Sequence, residues 1–231
     1  MASSAGWMRR KGCMRCFRWT GGRAAQSLRG MKRYNVRRSR ESTPNWPEAE
    51  FLTDFTLPWE TRTPPHTAFR ALHDEVWLHF RFECVDEDLV LPDAPTAKER
   101  AMLSDRVELF FAADSALASY YGLEMTPRGD VLDFKAAHYR QIDRAWSCPG
   151  LEISGNIAGS EYSVTGRIPL TTLREMGVLR GPEMITGIFR AEFFHREDGS
   201  VHNGWMPWVN PGCAKPDFHV PEAFGVLFFE P

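Results

Sequence analysis

Several things are scarce in this 231-residue chain, and each scarcity excludes something. No apolar run approaches the roughly 20 residues that a membrane-spanning helix needs. Helical periodicity is rare. Only Ala94–Leu103 (APTAKERAML) and the stretch PLTTLREMG, with Thr171 or Thr172 as cap and Gly177 as stop, read as short helices. A doubly wound α/β fold needs many more. Cysteine is sparse: Cys84, Cys148 and Cys213 are odd in number and widely spaced, which is no disulfide framework. Cys13-x-x-Cys16 has no second pair and no strand–helix context, so it reads as neither a zinc site nor a redox motif. There is no internal repeat.

Acidic residues are missing from the first 40 positions, which carry 12 Lys+Arg. The remaining chain holds the other 16 of the 28 basic residues and all 30 acidic ones, a balance of −14 behind an overall net charge of −2. An acidic body is a poor match for nucleic acid or an acidic polymer and leaves a neutral ligand as the expectation. The basic segment has no apolar h-region and does not read as a secretory signal. Residues 1–44 are expected to be a basic, disordered tail, a targeting segment or the product of an upstream start, with Met31 opening a shorter protein. The folded domain is expected over 45–231.

What is plentiful is strand pattern. In VWLHFRFECV, Leu78, Phe80, Phe82 and Cys84 alternate with His79, Arg81 and Glu83, which places the apolar set on one face. RVELFF alternates Val107, Leu109 and Phe111 against Arg106, Glu108 and Phe110. YYGLEM and VLDFKA flank a Pro127/Gly129 turn, and LEISGNI and EYSVTGRI flank Ala158-Gly159-Ser160. MITGIFRAEFF and FGVLFFE complete the set. Many short strands with turns between them indicate an all-β protein. The expectation is an antiparallel β-sandwich, immunoglobulin- or jelly-roll-like, with one or two short helices. A proline-rich lead-in over 41–66 precedes it.

TAFRALHDEVWLHFRFECVDED, SDRVELFF, YYGLEMTPRGDVLD, EYSVTGRIPL and WVNP…DFHVPEAFG follow one another in an order that resembles carbohydrate-binding module family 9, and in particular its stand-alone bacterial relatives. The resemblance implies binding of a neutral, xylan- or cellulose-related saccharide without catalysis, by a module often attached to O-glycosyl hydrolases and placed outside the cytoplasm. It implies two aromatic rings around a terminal sugar. Phe218 stands at one ring position. Met102 stands at the other, and a methionine lines a pocket without being a flat platform. Glu108 and Glu124 fall on hydroxyl-binding positions, and Trp208 and Arg190 join the candidate saccharide-binding set. No catalytic residue, metal ligand or required cofactor is assigned. Structural calcium is implied by the family alone, with Asp86–Asp88 as the acidic stretch that could serve it.

The residues also admit other readings. Phe218 could plug the end of a core, Trp208 and Trp205 could pack, Glu108 could face solvent, and Arg190 could pair with Glu192. Glu108, Glu124 and Glu192 would supply the carboxylate pair of a glycoside hydrolase, if two stood at hydrolytic separation. Met102 and a late histidine (His195, His202 or His219) would supply the axial ligands of a haem-binding domain.

Overall fold

The computed structural model describes residues 28, 30–41 and 43–231. Cys13, Cys16 and most of the 1–30 segment lie outside the described residues. The described chain is built from twelve strands and two α-helices: β1 (Arg33–Arg38), β2 (Thr67–His73), β3 (Trp77–Val85), α1 (Ala97–Leu103), β4 (Arg106–Ala112), β5 (Tyr120–Met125), β6 (Val131–Ala137), β7 (Gln141–Asp143), β8 (Glu152–Ala158), β9 (Glu161–Pro169), α2 (Leu170–Glu175), β10 (Glu183–His195), β11 (Val201–Pro207) and β12 (Gly225–Phe229).

The strands form one continuous curled sheet in the order β7-β6-β5-β4-β10-β12-β1-β2-β3-β9-β8, with β11 paired to β10. All pairings are antiparallel except those of β1, which runs parallel to β12 through Arg33–Val36 and parallel to β2 through Arg37–Arg38. This corrects two expectations. The sheet is mixed rather than an antiparallel sandwich, because β1 joins what would otherwise be two separate sheets. The domain also begins before residue 45. Tyr34 and Val36 alternate inward, 1% and 0% exposed, between arginines that dominate the composition and hide the strand.

The main core takes side chains from both halves. Phe69, Phe80, Phe82 and Val164 from β2, β3 and β9 meet Leu109, Phe111, Leu123 and Ile188 from β4, β5 and β10. The inward sets read from the sequence in β3 and β4 are buried in the main core. Arg190 on β10 ties the halves across this core: its guanidinium donates to Thr67 Oγ1 at 2.9 Å and to Asp86 Oδ2 at 2.9 Å. At Gly155 the halves touch, and a Cβ there would strike the backbone of Pro127.

A second apolar cluster covers the outer side of β4, β5, β6 and β10. It is built on Phe110, Tyr120, Phe134, Phe189, Phe218 and Phe224, and Leu28 and Met31 pack against it. Helix α1 lies on β6 and contributes Ala101 to this cluster. Its start is held by a capping box between Thr96 and Glu99. As a result β4 is buried along its whole length, on both faces.

Candidate functional site

A cavity of about 210 Å³ opens beside the second cluster. It is bordered by Met102 from α1, Arg106 and Glu108 from β4, Glu124 from β5, Arg140 before β7, Trp205 from β11, and the loop Pro216–His219. Four residues singled out in the sequence therefore meet here: Phe218, Glu108, Met102 and Glu124.

The polar floor follows from register. Glu108 and Glu124 are directly opposite across the β4–β5 pair, so their side chains rise as cross-strand neighbours. Arg106, two residues before Glu108, shares that face, with its Nε 3.0 Å from Glu108 Oε1 and 2.7 Å from Glu124 Oε2. Its Nη1 donates to the carbonyls of Met102 and Ser104, each at 3.2 Å. These groups are nearly sealed from solvent: Glu108 is 1% exposed, Arg106 4% and Glu124 7%. Burial, and next the Glu124 charge, push the Glu108 carboxyl up to about 8. Glu108 Oε1 and Arg106 Nε lack an aligned hydrogen-bond partner among the described residues. The alternative reading of Glu108 as a solvated outer-face residue is thus excluded, because the second cluster roofs it.

The aromatic wall is less open than a two-ring clamp. Phe218 borders the cavity but is only 5% exposed. It stacks on Phe189 at 4.1 Å between ring centroids, 9° from parallel, and meets the half-buried Trp205 edge-to-face at 5.6 Å. The Arg106 guanidinium lies 5.6 Å from the Trp205 ring. Met102 stands 43% exposed at the rim.

The loop carrying Phe218 is pinned by Asp217. Its carboxylate accepts from Tyr139 Oη at 2.6 Å, from Arg140 Nη2 at 2.9 Å and from the His219 amide at 2.9 Å. These bonds and the Arg140 charge hold the Asp217 carboxyl below its usual value, against the burial that would raise it. His219 packs against Phe110 and shares a 2.8 Å hydrogen bond between its Nδ1 and Tyr120 Oη. Burial lowers it to about 4.

Two of the candidate residues are elsewhere. Trp208 is 2% exposed in the main core, and Arg190 is the fully buried tie between the halves. Arg190 pairs with Asp86, while Glu192 pairs with Arg62. The sequence reading missed Arg106, Trp205 and Asp217. For Arg106 the signal was present, since it shares a strand face with Glu108.

Asp86 and Asp88, the acidic stretch considered for calcium, do not fit a cation. Their carboxylates are engaged by Arg190 and His195, and no group of three or more potential metal ligands is gathered among the described residues. Met102 and His219 both border the cavity, but His219 has its Nδ1 on Tyr120. No helix among the described residues is long and apolar enough to cross a membrane.

Residues 41–230 match the family model described as carbohydrate family 9 binding domain-like. A search of curated proteins returned no match. Among solved structures, a candidate carbohydrate-binding protein from Bacteroides uniformis superposes with a TM-score of 0.71 at 19% identity, covering 87% of this chain and 100% of that one. A carbohydrate binding module family 9 from Caldicellulosiruptor kristjanssonii in complex with cellotriose gives 0.59 at 15% identity, covering 86% and 94%. The module from the same organism in complex with glucose gives 0.58 at 16% identity, covering 86% and 96%.

Proposed function

The chain belongs to the carbohydrate family 9 binding domain-like family, and from that premise we propose that its cavity binds one terminal residue of a neutral saccharide and does not cleave it. The observation that carries this reading is the convergence of Glu108, Glu124 and Arg106 with Trp205 and Phe218 around one small space. A pyranose presents hydroxyls that donate and accept, and C–H faces that rest on aromatic rings. Glu124 and Arg106 supply an acceptor and donors. Glu108, whose burial favours the protonated form, can offer a donor as well as an acceptor. Trp205 supplies the ring with exposed surface, and Phe218 backs it from the side.

Binding is favoured over hydrolysis by the placement of the two carboxylates. A glycosidase needs them on either side of the scissile bond, whereas Glu108 and Glu124 converge on a single guanidinium.

Calorimetry with glucose and cellotriose tests the proposal. Glu124→Gln removes a hydrogen bond to a charged group, about 1.5–3 kcal/mol, so affinity should fall roughly ten- to hundredfold while the thermal transition is retained. Absence of binding to either sugar by the unmodified chain, or equal binding by the variant, would exclude the cavity as the site.

A further inference from the structure

The outer face of the β2-β3-β9-β8 half carries a second concavity, of about 310 Å³, remote in the fold from the cavity of β4 and β5. Its arrangement is unusual for a face left only to water. Arg70 on β2 and Arg81 on β3 are directly opposite in register, a like-charge pairing that is ordinarily destabilising. One carboxylate serves both: Glu83 lies 3.4 Å from Arg70 Nε and 3.1 Å from Arg81 Nη2. Two cations thus share one anion. The Nε–H groups of both arginines are also shielded from solvent and without an aligned acceptor among the described residues.

Beside them stands Phe51, 51% exposed, with the Arg70 guanidinium 4.3 Å from its ring centre. Asn156 and Ser163, opposite each other across β8 and β9, also line the concavity, and neither side chain has a hydrogen-bond partner among the described residues. The remaining carboxylate, Glu161, is at the far end. It lies four residues from Thr165, which faces Arg81 across β3 and β9, and that spacing is about 13 Å along a strand.

We infer that this face is a second binding site, for a short saccharide that carries a carboxylate, such as a uronate. The carboxylate would sit on the Arg70–Arg81 pair, where planar guanidinium groups recognise it well. A sugar C–H face would lie against Phe51, and hydroxyls would meet Asn156 and Ser163. The −14 balance of the acidic body disfavours a long polyanion, and Glu161 closes the groove to a second acid group at the far end. The ligand is therefore a short oligosaccharide with its charge at one end.

Titration calorimetry on the full chain with glucuronate and an aldobiouronate (one glucuronate linked to one neutral sugar), beside acetate and glucose, tests this. The uronates should bind, more weakly at higher salt, and Arg81→Gln should weaken them at least tenfold while glucose binding is unchanged. Phe51→Ala, on an exposed ring, should weaken them severalfold and serves if Arg81→Gln fails to fold. The inference is overturned if neither uronate binds, if acetate binds as well as they do, or if the arginine and phenylalanine variants bind undiminished. It is also overturned if uronate binding is lost in Glu124→Gln instead, which would place the acid sugar in the cavity. The glucose titration reads the cavity separately, so failure of one site is distinguishable from failure of the other.

Discussion

β4 and β9 both alternate apolar with polar residues, yet they end in different environments. Along β9 every second residue is buried and the others remain partly open. Along β4 every residue is buried. The difference lies in what covers the outer side. Over β9, β3 and β8 that side is only partly covered, by the lead-in at Thr43, Pro44 and Trp46, and carries polar side chains and the exposed Phe51. Over β4 and β5 it is roofed by a second aromatic cluster and α1. One half thus holds a small cavity with a buried polar floor, while the other presents a groove of partly exposed polar side chains. A charged residue at a period-two polar position is a surface group in one half and part of a buried network in the other.

Removing the tie between the halves should have the largest effect. Arg190→Met leaves Asp86 buried without its cation and should cost about 3–5 kcal/mol, measured by urea unfolding. The exposed Arg167–Glu152 pair of the open half makes the counterpart, and Arg167→Gln should change stability by at most about 0.5 kcal/mol. If the two substitutions proved equal, the contrast between the halves would fail.

Two phenylalanines sharpen the comparison further. Phe218→Ala removes a ring that is stacked and 5% exposed, and should cost about 3 kcal/mol. Phe51→Ala, on the open face, should cost less than about 1 kcal/mol. A negligible loss for Phe218→Ala in thermal or urea melts would mean that the ring is a platform with little part in the core.

The smallest effect is on pH dependence, and it belongs to the enclosed half. Glu108 and Asp105 are both raised to about 8, Glu108 by burial and the Glu124 charge, Asp105 by burial and the Asp86 charge. Between the ordinary carboxylate range and pH 8 the folded chain therefore holds protons that the unfolded chain has released. Their contribution is full at the acid end of that window and is lost as pH rises through 8. His219, lowered to about 4, works in the opposite sense. It favours the fold above the usual histidine range, and that contribution is lost as pH falls toward 4. Stability should thus decline between about pH 7.5 and 8, above the range in which an unfolded histidine still releases its proton and below the free-thiol range. Glu108→Gln should flatten the decline. An unchanged slope in the variant would remove Glu108 as its source.

Much of the fold was legible in the chain. The alternation of Leu78–Cys84 and of Val107–Phe111, the turns at Gly129 and Gly159, and both short helices are where local pattern put them, because strand pleat and turn geometry act over a few residues, although α2 begins at Leu170 after Pro169, without the cap read at Thr171 or Thr172. The inward face of each strand follows from the same period. β1 escaped notice because charge on Arg33, Arg37 and Arg38 masked a two-residue apolar alternation. The Phe218, Glu108, Glu124 and Met102 grouping was legible through the ordered motifs they belong to, whereas Trp208 and Arg190, read by the same route, pack in the core.

The sequence by itself determined that this is a β-rich chain, which residues of most strands turn inward, and which family it belongs to, since these depend on local periodicity and on the order of motifs. Only the tertiary structure decided that β1 joins the halves into one mixed sheet, that Arg190 crosses the core to Asp86, and that Glu108 is buried against Arg106. Each of these depends on which distant segment covers a given face, and a polar residue at an outward position carries no local mark of whether water or a cluster such as Phe110, Phe134 and Phe218 lies above it.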